Sequence, residues 1–372
     1  MSRYEEVREL AKKSVAPHTN AADKEGRFPK ESFEALREAG YFGLMIPKEF
    51  GGSGGTLSDH AEVCMALAES CATTALCYMM HNVASYSIVA SGSDEMKKEK
   101  LPAIAQGKKV MALAFSESGS GTHFYLPELS AKKEGEKIVL NGRKSFVTTA
   151  RFADEYLVDA NAIGAEGLDI WSVPSEAKGI VFEDAQWDGL GMRGNNSMPM
   201  RLENVTLSDR DRVGKAGEGS AILSNIIAPY FVTGLAAVYS GVASAAQDVA
   251  IEYAKTRKYP DGSTLSVIPT VQEHLAKIYR LTQSARHYTF AAAKNGTQNA
   301  PNAAADMFAA RINASENAVE VCRLAMKIGG GNAYAKRLPL ERYLRDSYAA
   351  AVMAPSTDVL AIWLAQALIA EG

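Results

Sequence analysis

Apolar residues recur at three- and four-residue spacing across residues 4–107, with breaks at Gly40 and at the glycine cluster 51–55. That period predicts helices burying a face against one another, and the Ala-, Met- and Cys-rich run 61–89 reads as helix buried all round. From Met111 to about Val213 the texture changes to short alternating or wholly apolar runs (MALAF, KIVLNG, SFVTT, EYLVDA, DIWSV, MRLENVTL) separated by Gly, Asn, Asp and Pro. Runs of that length and punctuation are strands, so the middle of the chain reads as a β-sandwich or barrel. Beyond Ala221 the helical period returns in Ala-rich segments broken at 260–262, 295–302 and 329–331, enough for four helices of bundle length. The expected fold class is α+β and multidomain: an N-terminal helical domain over 1–110, a middle β domain over 111–215 and a C-terminal four-helix bundle over 216–372. No repeat or loose linker separates them, which predicts that they pack together.

With 47% hydrophobic and 22% charged residues in 372, the composition is that of a soluble globular protein. The 40 basic and 43 acidic residues are interspersed and sum to −3, which argues against a nucleic-acid partner. Cys64, Cys71, Cys77 and Cys322 lack the close pairing of a metal site and read as small buried side chains. The chain opens on a charged amphipathic stretch, MSRYEEVRELAKK, and has no uninterrupted apolar run of membrane length. A cytoplasmic location and no membrane partner are the expectations.

Five ordered motifs resemble those of the acyl-CoA dehydrogenase superfamily: MALAFSESGSGTHF at 111–124, NGRKSFVTTARFADEYLV at 141–158, LGMRGNNSMPMRLENVTL at 190–207 followed by VGKAGEG, EYAKTRKY at 252–259, and KIGGGNAYAKRLPLERYLRD at 327–346. The resemblance covers essentially the whole chain and implies FAD as cofactor. It places Ser116 and Thr148 as hydrogen-bond partners of the isoalloxazine and Phe146 as the aromatic lying against it. Gly121 would let backbone approach closely, with Thr122 near the pyrophosphate. Arg257, with Gln272 downstream, and the backbone at Gly330 and Gly331 would reach the dinucleotide of a neighbouring subunit. A homo-oligomer, dimer or dimer of dimers, is therefore implied. So are an acyl-CoA or other carrier-bound small substrate and an acceptor that is electron-transfer flavoprotein or oxygen.

The chain departs from the family where chemistry is expected. The family's dehydrogenases remove a proton beside the thioester carbonyl with a Glu that opens an E-G-T motif, and counting on from Arg345 and Asp346 lands on Ala354, followed by Pro355 and Ser356. A methyl group cannot accept a proton. The family's alternative Glu site, at the start of the bundle, corresponds to residues 228–233, which contain no acid. Asp358, His81 and His123 remain as weak candidates for a base. Lys327 and Asp358 both replace family Gln residues near the pyrophosphate, and the two are expected to compensate one another across a subunit interface. No metal site is expected. Three readings stay open: an oxidoreductase of acyl thioesters with an atypical site, a flavin monooxygenase or hydroxylase, and a non-catalytic FAD-binding partner subunit. Tyr230, Phe231, Met353 and Pro355 would give a bulky apolar pocket wall suited to a compact or aromatic acyl group.

Overall fold

A computed structural model describes every residue except 1, 122, 124, 184–186, 371 and 372. Its N-terminal part is helical: α1 (Arg3–Ser14), α2 (Ala16–Glu25), α3 (Lys30–Glu38), α4 (Leu57–Ala68), α5 (Ala72–Ser91) and α6 (Asp94–Ala105). Reciprocal capping boxes start α1 and α4, Ser2 with Glu5 and Thr56 with Asp59. The apolar run 61–89 is two helices rather than one. It restarts at Cys71, whose Sγ accepts the Thr74 N–H at 3.4 Å and so caps α5. All four cysteines are buried and unpaired by disulfides.

The middle of the chain folds as two four-stranded sheets. β1 (Met111–Ala114), β4 (Glu155–Asn161), β5 (Leu168–Pro174) and β8 (Arg212–Val213) form one, with β1 parallel to β4. β2 (Ser130–Glu134), β3 (Lys137–Val147), β7 (Met198–Ser208) and β6 (Ile180–Phe182) form the other, all antiparallel. KIVLNG and SFVTT belong to the single strand β3, irregular in its pairing with β7 after Leu140 and Lys144. β2 escapes sequence reading because it is a polar edge strand, Ser-Ala-Lys-Lys-Glu, with largely exposed side chains. Lys144 is fully buried between Glu117 at 2.5 Å and Asp159 at 2.7 Å, joining β3 and β4 to the segment that follows β1.

The C-terminal part starts as one long helix, α7 (Gly219–Ile222) passing through a π turn (Leu223–Ile227) into α8 (Ala228–Thr256). α9 (Pro269–Thr297), α10 (Ala303–Tyr334), α11 (Leu340–Val352) and α12 (Thr357–Ala370) complete it. Residues 219–256 are long and apolar enough to cross a membrane, but α8 packs against α4, α5, α9, α10 and α11 and is the buried centre of the bundle. Glycines permit the approach: a Cβ at Gly241 would collide with the Met65 carbonyl of α4, and one at Gly234 would sit 2.6 Å from His60 Nε2. α10 breaks at Gly330, whose φ of 51° and ψ of −135° are not helical.

Candidate functional site

The start of α8 and the loop after α11 meet α5, β1 and β3 around an apolar cleft of about 70 Å³. Met80 of α5, Leu113, Phe115 and Ser116 at β1, Phe146 of β3, Ile227, Ala228, Phe231 and Val232 of the long helix, and Ala354 with Pro355 line it. None of these described lining residues is titratable, and Ser116 alone is polar. Ala354 lines the cleft, and no carboxylate lies among its described lining residues. The expected bulky wall is corrected in detail: Phe231 and Pro355 line the cleft, whereas Tyr230 and Met353 do not. Tyr230 instead packs on Tyr86, ring centroids 4.2 Å apart. Successive residues on a helix point about 100° apart, so a wall built on Phe231 turns Tyr230 elsewhere.

Neither histidine candidate lines the cleft. His81 is fully buried; its Nδ1 accepts the Met111 N–H at 3.1 Å and its Nε2 donates to the Phe42 carbonyl at 3.1 Å. Both ring nitrogens are committed, and burial pushes the imidazole down to about 4, so it is a neutral strut between α5 and β1. His123 is exposed, with Nδ1 2.7 Å from the Tyr125 hydroxyl. Asp358 is exposed in the first turn of α12 and is likewise absent from the cleft walls. Lys327 is exposed on α10, and within the chain no ion pair joins it to Asp358.

The positions expected to bind the cofactor divide between two ends of the bundle. At the cleft, Phe146 leaves 62% of its surface open and Ser116 lies in the wall. Thr148 is buried, its hydroxyl 3.0 Å from that of Ser197, and Ser356 Oγ accepts the Val359 N–H at the start of α12. Gly121 has open space where a Cβ would stand, while Thr122 lies outside the described residues. At the other end, Arg257 follows α8, its guanidinium 4.1 Å over the Tyr259 ring and its buried Nη1 without a partner. Gln272 donates to the Ser266 carbonyl at 3.0 Å in the same turn. The Gly330 break lies beside them, because Asn332 donates to the Tyr253 hydroxyl at 2.7 Å; a Cβ at Gly330 or Gly331 would touch nothing within 4 Å.

From Ala228 to Arg257 the helix runs roughly 43 Å at about 1.5 Å per residue, so the two ends cannot touch the same part of one cofactor within one chain. The orphan guanidinium donor and open glycine backbone at the far end have the chemistry to hold a phosphate-bearing group, while the exposed Phe146 ring beside Ser116 offers the aromatic face and the hydrogen-bonding hydroxyl that suit a flavin. Met80, Leu113, Phe115 and Ile227 were not anticipated from sequence. They come from three distant stretches of the chain, α5, the end of β1 and the π turn before α8, and share only apolar character, so their convergence becomes visible only in the fold.

Comparison with known proteins bears on the same regions. Residues 3–108, 112–205 and 233–369 match the family models described as acyl-CoA dehydrogenase N-terminal, middle and C-terminal domains. The chain is 29% identical over 374 residues to the probable acyl-CoA dehydrogenase YngJ of Bacillus subtilis, covering 98% of this chain and 96% of that one. It is 28% identical over 368 residues to the 3-(aryl)acrylate reductase of Clostridium sporogenes, with 98% and 96% covered. The solved prolyl acyl carrier protein oxidase AnaB shares its fold at a TM-score of 0.91 and 25% identity, with 98% and 97% covered.

Proposed function

We propose, from the premise that this chain belongs to the acyl-CoA dehydrogenase family of oxidoreductases, that it holds FAD at the cleft and transfers hydride to or from a compact or aromatic acyl thioester without a side-chain base. The observation that carries this reading is the cleft wall, apolar throughout its described residues save Ser116, with Ala354 part of it. FAD, when bound, supplies the hydride acceptor or donor. Ser116 would hydrogen-bond the flavin and Phe146 would cover it. Met80, Phe115, Ile227, Phe231 and Val232 would pack against the acyl group and limit its size. No described wall residue is ionisable, so the proton that balances the hydride would be exchanged with a water molecule at the cleft. The likeness to an aryl-acrylate reductase supports an aromatic acyl group.

A second reading, an oxygen-using enzyme for a carrier-protein-bound substrate, is favoured by the same missing carboxylate and by the likeness to a carrier-protein oxidase. Arg257, Gln272, Lys327 and the Gly330–331 backbone would complete the cofactor site of a second copy, making the enzyme a homo-oligomer; the acceptor would be electron-transfer flavoprotein on the first reading and oxygen on the second.

Anaerobic spectrophotometry of the yellow protein tests both. The first reading expects saturated acyl-CoAs to bleach the flavin slowly or not at all, and an arylacryloyl-CoA to reoxidise dithionite-reduced enzyme. Indifference of the reduced flavin to every enoyl thioester, with rapid reoxidation by oxygen, would replace it by the second.

A further inference from the structure

We propose that Trp187 is a positioning residue of the flavin site: it holds the Phe146 ring, and the two rings together cover the flavin against water and oxygen. The inference rests on the reading that FAD sits beside Ser116 and Phe146. Phe146 is 62% exposed, whereas its neighbours Ser145 and Val147 are buried, so the protein core does not fix its ring. Trp187 meets it instead, with ring centroids 6.3 Å apart and planes at 76°, the attractive edge-to-face arrangement.

Trp187 is itself held by its own loop. Its Nε1–H donates to the Met192 carbonyl at 3.3 Å. A Cβ at Gly189 would stand 2.5 Å from Trp187 Cζ2, so the indole lies against backbone that only glycine leaves open. The loop's far end is pinned to α11: the Met192 N–H donates to the buried Asp346 carboxylate at 2.7 Å, and a Cβ at Gly191 would collide with the Arg345 carbonyl. The frame that carries Ala354 and Pro355 therefore also fixes the indole, and through it Phe146. Without the indole, Phe146 is free to change rotamer and open the flavin face to solvent.

The test uses full-length wild type, Trp187→Ala, Trp187→Leu and Trp187→Phe, each loaded with FAD, reduced anaerobically by dithionite and mixed with air-saturated buffer. Losing an edge-to-face pair should raise the reoxidation rate of the Ala and Leu variants roughly fivefold. Flavin fluorescence should brighten in both, and Trp187→Phe should stay near wild type in both readouts. The Leu variant serves if the Ala variant does not fold. Equal rates and equal fluorescence across the series would overturn the proposal. A wild-type protein that retains no FAD would overturn the flavin reading itself, an outcome distinguishable from the first.

Discussion

Ala354 presents a methyl group to the cleft, while the His81 imidazole spends both ring nitrogens on backbone groups. Counting along a motif put a methyl group at Ala354, and the fold places Ala354 in a cleft wall that has no titratable described residue. His81 looked like a possible base because sequence cannot show that both of its nitrogens are bonded to backbone. Burial lowers both His81 and His60 to about 4. The unfolded chain binds these protons at about 6.5, so folding stability is full above that pH and falls as pH drops toward the folded value. Each histidine should remove about 2 kcal/mol of stability between pH 7 and pH 5, although Asp159 and Asp346, raised to about 6 by burial, act in the opposite sense. Urea midpoints at the two pH values should therefore differ less in His81→Gln than in wild type; an unchanged difference would mean that His81 does not remain neutral in the fold.

At the scale of elements, periodicity found the long helices and most strands, but not the irregularities that shape the cleft. Pro229 has no N–H to give the Asn225 carbonyl, and the helix widens beside it into the π turn, where the Ala228 N–H reaches back to Leu223. The turn brings Ile227 and Ala228 into the cleft wall together with Phe231. Pro was visible in the sequence, but a register change inside a helix that continues on both sides leaves no periodic signal. Pro229→Ala should regularise the helix, raise stability by about 1 kcal/mol and weaken acyl-ligand binding. Thermal melting with ligand titration of the bound flavin checks both; a variant with unaltered ligand affinity would remove the π turn from the account.

Across the whole molecule, the three-part architecture was legible because the hydrophobic period switches twice, near Met111 and after Val213. The assignment of Arg257, Gly330 and Gly331 to a neighbouring copy came from the resemblance alone, and the physical reason for it, the roughly 43 Å length of α8 between them and the cleft, became visible only in the fold. It predicts that Arg257→Ala, far from the cleft, lowers FAD retention, and that wild type loses FAD on dilution as copies separate. Dialysis and sedimentation at matched concentrations check this, and FAD retained by an isolated monomer would contradict it. If the cleft has no base of its own, stopped-flow flavin bleaching by a saturated acyl-CoA should be about a hundredfold or more faster in Ala354→Glu than in wild type, the usual contribution of a positioned base. Rapid bleaching of the wild type, not increased by the new carboxylate, would show that a base already acts at this site and would contradict the account.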